Sequence, residues 1–379
     1  MEQKSKEEIL KDVNKKLFPN NDITNKIIFV YSKPKVGSTS LVSSIRLFAS
    51  EFFTVIHIHD EEMLKVVCNI NKNIDITIND IIKYNKNIGK DVYVIDVYRS
   101  PIERKISAFF EKIGVYHFNN IDSKVNAYDI NLIIKRFNSI FPHIANGDNF
   151  LDCYQLTNKP IKFDTYNKYL YLEENGIKYI KLRLCDSSQW SRILTKLLQT
   201  EIIIVKDYES TNKEIKDLYL RFKNEYKIPI NFINEYIQND DYLNYYYNKV
   251  EKQEYINEWL HKSTPTLYKS FTKEEYKLYE DITIENCHLD YIQQNHYLDE
   301  GCICNSCRIK RNKVCQQIRQ NQLTNTTKVW HEEASVEMAN KRLEQAVRVT
   351  KALSKIPNRY VKGRKDFNGE MKSVVKMGK

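Results

Sequence analysis

A short loop, residues 33–40, stands between an apolar run and a helical pattern, and it constrains the fold more than any other stretch. The run Ile27–Tyr31 is typical of a buried strand, and the apolar residues of 41–49 recur with the period of a helix. Amides freed at the start of such a helix point outward with the positive end of the helix dipole. We therefore predict a phosphate-binding loop formed by Lys35, Val36, Gly37, Ser38, Thr39 and Ser40.

The residue order in this loop differs from that of the common nucleotide triphosphate loop. That signature places a Lys and a Ser or Thr directly after its second Gly, whereas Lys35 precedes Gly37 by two residues. A kinase-type loop that has drifted from the signature is one alternative, and it would bind ATP with Mg²⁺. A chance turn between a strand and a helix is another.

A second strand, turn and helix are predicted over residues 92–110. Ser100 is expected to cap the helix, and Pro101 fits its first position because proline has no N–H to satisfy there. Glu103 would complete a Ser-x-x-Glu capping box. The helix is therefore predicted to start at a defined point, directly after Arg99.

Strand-like and helical patterns alternate along most of the chain. Residues 52–60 and 201–205 are predicted as strands, and Ile177–Leu184, which alternates apolar and basic residues, as a half-exposed strand. Helices are predicted at 188–198, at 212–226 and through the Tyr-rich residues 230–281. Residues 113–175 are aromatic and irregular, and we expect acceptor recognition there because loops carry specificity. The alternation predicts an α/β fold with a mostly parallel sheet and helices on both faces.

Polar residues end the run 52–60, and in an open parallel sheet ligands bind at the carboxyl ends of the strands. His57, His59 and Glu61 are therefore candidates for a base that accepts a proton near the loop. We rank His59 first, then His57, then Glu61. A purely structural role is the alternative for either histidine.

The two motifs resemble those of sulfotransferases that use 3′-phosphoadenosine 5′-phosphosulfate. There a Pro-Lys-x-Gly-Ser/Thr loop follows the first strand, as at Pro34–Leu41, and a later strand ends in Arg-x-Pro-x-x-Arg, as at Arg99–Arg104. With His57-x-His59 and Tyr245–Tyr247, the chain is also similar to the putative capsular polysaccharide synthesis family of bacteria and large viruses. The resemblance spans roughly residues 25–262. It implies a P-loop-like three-layer sandwich, the sulfotransferase fold.

The resemblance implies transfer of a sulfuryl group from that nucleotide to a hydroxyl of a carbohydrate acceptor, in polysaccharide biosynthesis. Lys35 would neutralise the bridging oxygen, and the loop would hold the 5′-phosphate. Arg99 and Ser107, eight residues apart, would hold the 3′-phosphate. Without the resemblance, Arg99 and Arg104 are equally typical of solvated arginines at a helix start.

The basic charge of the chain lies in its last part. Residues 302–379 contain 18 Lys and Arg against 6 Asp and Glu, a net charge of +12, so residues 1–301 carry −2 of the overall +10. We predict a lead-in over 1–25, a catalytic domain over 26–290 and a basic extension over 291–379. The extension either binds nucleic acid or another polyanion, or is simply solvated.

Four of the eight cysteines cluster in the extension: Cys302, Cys304, Cys307 and Cys315. Four thiolates this close in sequence can close a tetrahedral zinc site. A cluster of free, redox-sensitive thiols is the alternative.

No apolar stretch approaches the 18 residues of a membrane helix, and the charged N-terminus does not resemble a signal peptide. We expect a soluble cytoplasmic protein without a membrane span, located in the host cytoplasm or the virion if its source is a virus. Three functions compete: a sulfotransferase, an ATP-dependent P-loop kinase, and an inactive nucleic-acid-binding or virion-associated protein that acts through its basic tail.

Overall fold

The computed structural model describes residues 5–18, 24–70, 74–117, 125–205 and 215–285. The central sheet consists of β1 (Lys26–Tyr31), β2 (Phe53–Ile58), β3 (Asp91–Tyr98), β4 (Tyr169–Glu174) and β5 (Ile177–Arg183). The strand order is β2-β1-β3-β5-β4, with parallel pairing from β2 through β5 and an antiparallel β4 at the edge. The predicted α/β fold with a mostly parallel sheet is confirmed.

Helices surround this sheet, and a two-residue ladder joins β6 (Ile228–Pro229) to β7 (Ser263–Thr264). The helices are α1 (Lys6–Leu17), α2 (Ser38–Ala49), α3 (Glu61–Val67), α4 (Ile78–Asn87), α5 (Pro101–Glu111), α6 (Ile113–Tyr116), α7 (Ile130–Ile140), α8 (Asn149–Asp152), α9 (Trp190–Leu198), α10 (Lys216–Glu225), α11 (Ile230–Phe232), α12 (Asp241–Tyr246), α13 (Lys249–His261) and α14 (Lys273–Glu285). A π-helical turn, Ile233–Ile237, follows α11.

Two apolar clusters lie on opposite faces of the sheet. Successive side chains of a strand point to opposite faces, and β1 places Ile28 and Val30 in one cluster with α2 and α9. Its residues Ile27 and Phe29 belong to the other, larger cluster. β1 is therefore covered on both sides, as expected of a central parallel strand, and the arrangement is compatible with a three-layer sandwich.

The region 113–175 is more regular than predicted, because it contains α7, α8 and the edge strand β4. Asn175 and Gly176, with φ of +53° and +71°, connect β4 to β5 in a two-residue hairpin. Both positions need a positive φ, which Asn and Gly adopt most readily. An Asn-Gly pair before the predicted strand was the sequence signal for this hairpin.

β5 is not the half-exposed strand that its alternating basic residues predicted. Lys181 and Arg183 are 0% and 1% exposed. Each is buried because it is paired: Lys181 with Asp96 and Asp148, and Arg183 with Asp186 and Glu251. In β5, the basic residues of the alternating pattern therefore form buried ion pairs and do not indicate an exposed face of the strand.

The strand predicted at 201–205 is also absent: these residues form no strand. Their amides are satisfied by side chains, since Ile202 N donates to Thr195 Oγ1, Ile204 N to Ser191 Oγ and Val205 N to Ser44 Oγ. Hydroxyl acceptors on α2 and α9 thus replace the ladder that a neighbouring strand would supply.

The lead-in predicted over 1–25 contains helix α1, which starts at a capping box between Ser5 and Glu8 and packs against α4. Its Val13 and Leu17 belong to the larger apolar cluster. Within the ranges described, no helix is both long and apolar enough to cross a membrane. The predicted basic extension and its four clustered cysteines lie outside the described residues.

Candidate functional site

The loops that follow β1 and β3 meet at the carboxyl edge of the sheet. In the sheet, β1 lies between β2 and β3. From β1 the chain passes through α2 to β2 on one side of β1 and then returns to β3 on the other side, so the strand order reverses between β1 and β3. Such a switch point opens a crevice in which open α/β sheets bind ligands. Arg99 Nη1 spans it and donates to Lys35 O at 2.9 Å. The two sequence motifs are thereby in direct contact.

Left-handed backbone conformations shape the loop after β1. Lys35 has a φ of +67° and Gly37 a φ of +91°. A Cβ atom at Gly37 would lie only 2.7 Å from Leu184 Cδ1, so the residue is restricted by both conformation and space. Val36 is 1% exposed and anchors the loop in the core beside α2. The loop therefore enters α2 along a single defined path.

The three hydroxyl residues of the loop differ in their surroundings. Ser38 is 3% exposed, and its Oγ lies 3.0 Å from His57 Nε2. Thr39 is exposed at the first turn of α2, and Ser40 O accepts a hydrogen bond from Ser44 Oγ. The Ser38 hydroxyl is thus engaged with a neighbouring strand, whereas Thr39 faces solvent.

The Lys35 ammonium is paired within the protein. Its Nζ lies 3.0 Å from Glu111 Oε2 at the end of α5, and both side chains are partly exposed. Since α5 begins two residues after Arg99, this ion pair and the Arg99–Lys35 hydrogen bond both tie the loop to the second motif.

His59 has a defined tautomer. Its Nδ1 lies 2.7 Å from Ser32 O, and because a carbonyl oxygen only accepts, Nδ1 carries the proton and Nε2 the lone pair. Burial lowers the pKa of His59, and the Lys35 and Arg104 charges lower it further, although the Ser32 carbonyl and Asp60 act in the opposite direction. Neutral His59 therefore offers Nε2 as a proton acceptor.

His57 and Glu61 both contact neighbouring groups in the structure. Burial, followed by the His59 and Arg46 charges, holds the pKa of His57 well below its usual range. Its Nε2 is in contact with Ser38, and its ring packs edge-on against His59 with centroids 4.6 Å apart. Glu61 Oε1 accepts from Tyr31 Oη and Ile78 N, each at 3.4 Å.

The predicted capping box of α5 is wrong, although Ser100 is the N-cap residue and Pro101 occupies the first turn. Ser100 Oγ lies 2.8 Å from Tyr247 Oη instead. Glu103 accepts from Tyr255 Oη and Trp259 Nε1. Residues of α13 therefore take the Glu103 carboxylate that a capping box would use. Tyr255 Oη also accepts from Ile102 N, so it satisfies one of the free amides of the first turn in place of the local cap.

Arg104 and Ser107 are buried on α5, at 5% and 6% exposure. Arg104 is therefore not a solvated arginine: its Nη1 donates to Gly147 O at 2.6 Å. Binding of a 3′-phosphate by Arg99 and Ser107 stays a prediction.

A buried ion cluster supports the edge of the site, and the sequence analysis missed it. Lys181 Nζ lies 2.6 Å from Asp96 Oδ2 and 2.5 Å from Asp148 Oδ2. Asp148 also caps α8 and accepts from Tyr246 Oη. Burial raises the pKa of Asp96 to about 7, against the opposing pull of Lys181. An aspartate within the otherwise apolar end of β3 was the signal that could have revealed it.

Comparisons with known proteins place no relative beside this chain. Neither protein-family models, nor curated proteins, nor solved structures gave a match. In the part of the chain that the structure describes, no group of three or more His, Cys, Asp and Glu side chains could hold a metal ion.

Proposed function

We propose that this chain is a sulfotransferase that uses 3′-phosphoadenosine 5′-phosphosulfate and a carbohydrate acceptor. The acceptor oxygen would bond to sulfur while the bond from sulfur to the bridging oxygen breaks, releasing 3′-phosphoadenosine 5′-phosphate. The observation that supports this most is the hydrogen bond from Arg99 Nη1 to Lys35 O, which joins the two nucleotide motifs at one point of the sheet edge.

Nucleotide binding in this proposal relies on the loop of residues 33–40. Amides at the start of α2 would hold the 5′-phosphate, aided by the exposed Thr39 hydroxyl. Lys35 would stabilise the charge that grows on the bridging oxygen during transfer. Because Lys35 pairs with Glu111, nucleotide binding would exchange the carboxylate for that oxygen.

Proton removal is assigned to His59. Its Nδ1–H is held by Ser32 O, so Nε2 would take the proton of the acceptor hydroxyl as the new oxygen–sulfur bond forms. His57 is a weaker candidate, because its Nε2 already contacts Ser38. Through its contacts with Ser38 and with the His59 ring, His57 would instead hold these two residues in position.

Transfer of labelled sulfur tests the proposal. The full chain would be incubated with ³⁵S-labelled nucleotide and a set of oligosaccharides, and label in the sugar fraction is the expected result. Lys35→Ala should lower the rate by about 10²-fold or more, as for loss of a transition-state donor. The control Lys196→Ala changes an exposed lysine on α9 and should not affect it. Transfer that is equally fast in Lys35→Ala would contradict the assigned role.

A further inference from the structure

A small cavity opens beside Arg99, at the carboxyl edge of the sheet. The end of β3, the first turn of α5, the loop 145–147 and the start of α12 form its wall. The residues of its wall that matter here are Tyr98, Arg99, Arg104, Lys105 and Asp240. We refer to this space as the Arg104 cavity.

Positive charge dominates the Arg104 cavity. The arginines Arg99 and Arg104 line it, together with Lys105, whose pKa burial lowers to about 7. Its one carboxylate, Asp240, is the N-cap of α12 and accepts from Leu243 N at 2.6 Å, so its charge is directed at a helix start. An anion is therefore the type of ligand that this wall favours.

Two residues of the wall carry a buried donor that has no partner among the residues that the structure describes. These donors are the Tyr98 hydroxyl and Arg104 Nε, on side chains that are 4% and 5% exposed. An unpaired buried donor is costly, and it calls for an acceptor that occupies the cavity. Arginine can only donate. Burial and the nearby Asp240 hold the pKa of Tyr98 well above its usual range, so its hydroxyl keeps its proton.

Packing holds both donors in place. The ring of Tyr98 stacks on Tyr246 with centroids 4.1 Å apart. The Arg104 guanidinium is fixed by its hydrogen bond to Gly147 O. Since neither side chain needs to be ordered when a ligand arrives, the donors are preorganised.

We propose that Tyr98 and Arg104 complete an oxyanion site that binds a sulfate or phosphate monoester group. Such a group only accepts hydrogen bonds, so it satisfies both donors and the surrounding positive charge together. The group has two conceivable carriers: the 3′ position of a nucleotide, or the carbohydrate acceptor. The site rests on its own geometry and does not require the transfer reaction proposed above.

Equilibrium dialysis of the full chain against ³⁵S-labelled inorganic sulfate, in chloride buffer, tests the site. One saturable site is expected. Tyr98→Phe and Arg104→Gln should each weaken sulfate binding about tenfold or more, as for loss of a hydrogen bond to a charged group. Tyr98→Phe removes only a hydroxyl without a described partner, so this variant is expected to fold even if Arg104→Gln does not. The control Arg192→Gln removes an exposed arginine and should bind as the wild type does.

A second arm identifies the carrier. If saturating 3′-phosphoadenosine 5′-phosphate displaces the sulfate, the nucleotide fills the cavity; if sulfate stays bound beside the nucleotide, the acceptor does. Either result supports the site. Sulfate that fails to bind, or that binds Tyr98→Phe as tightly as wild type, overturns it. Sulfate binding without nucleotide binding would remove the sulfotransferase proposal and leave the oxyanion site standing.

Discussion

Gly37 is the position where the loop tolerates a side chain least. Its φ is +91°, and a Cβ atom there would crowd Leu184. Gly37→Ala should therefore lower the free energy of unfolding by about 2–4 kcal/mol, from backbone strain together with overpacking. Gly89→Ala is the matched control, because Gly89 has a φ of +85° with open space around it. Strain alone predicts a smaller cost there, about 1–2 kcal/mol. Equal costs in urea unfolding would show that contact with Leu184 does not restrict the loop.

His57 should make stability depend on pH. The folded state holds its pKa well below 6.5, whereas the unfolded chain protonates it at about pH 6.5. Below pH 6.5 the unfolded chain binds a proton that the folded state does not bind. The free energy of unfolding is therefore highest above pH 6.5 and decreases as the pH falls. His57→Gln should reduce the slope of unfolding free energy below pH 6.5, by about 0.7 kcal/mol per pH unit at pH 6.5 and up to about 1.4 near pH 5.

Urea unfolding at several pH values measures this slope. Ser38→Ala is the control, because it removes the same 3.0 Å contact and leaves the titrating imidazole in place. The Ser38→Ala profile should keep the wild-type slope. Parallel profiles for wild type and His57→Gln would contradict the prediction.

Single residues show how far sequence reasoning reaches. The order of Lys35, Gly37 and Arg99 predicted two turns, and the structure brings these turns together. The side-chain partners of Lys35 and Glu103 were not predictable, because Glu111 and Tyr255 lie far along the chain from them. The capping box failed for that reason: a local pattern cannot reveal a tertiary competitor.

Strand β5 carries two lysines whose environments differ sharply. Lys181 is fully buried between two carboxylates, and Lys178, three residues earlier, forms a partly exposed pair with Asp91. Lys181→Met should cost about 3–5 kcal/mol, since it leaves two carboxylates buried without their cation. Lys178→Met, on the same strand, should cost about 0–1 kcal/mol. Denaturant unfolding of both variants measures the difference. Similar losses would mean that burial does not set the strength of these pairs.

The elements were predicted well where the apolar period is long and less well where side chains compete with the backbone. The strands β1, β2 and β3 lie where their sequence patterns predicted them, as do the helices α2 and α5. Residues 201–205 have a strand-like composition, yet hydroxyl groups on α2 and α9 satisfy their amides. Edge strand β4 lies in a stretch without clear alternation and forms by pairing with β5. Propensity is only a weak guide where such tertiary partners decide.

At the scale of the whole molecule, the sheet topology explains why the motifs meet. β1 and β3 are adjacent in the sheet, although α2, β2, α3 and α4 lie between them in the sequence. The reversal of strand order between them opens the crevice that Arg99 spans. Alternating strand and helix patterns predicted a parallel sheet, but the strand order and the buried cluster around Lys181 required the structure.

Calorimetric titration with 3′-phosphoadenosine 5′-phosphate, without added metal, tests the central claim most directly. Adenosine 5′-phosphate is the matched control, because it differs only by the missing 3′-phosphate, and ADP with Mg²⁺ tests the kinase alternative. The account predicts micromolar binding of the bisphosphate and a loss of about 10-fold or more without the 3′-phosphate, as for a charge-assisted contact. Equal affinity for both adenosine nucleotides, or binding of neither, would contradict it.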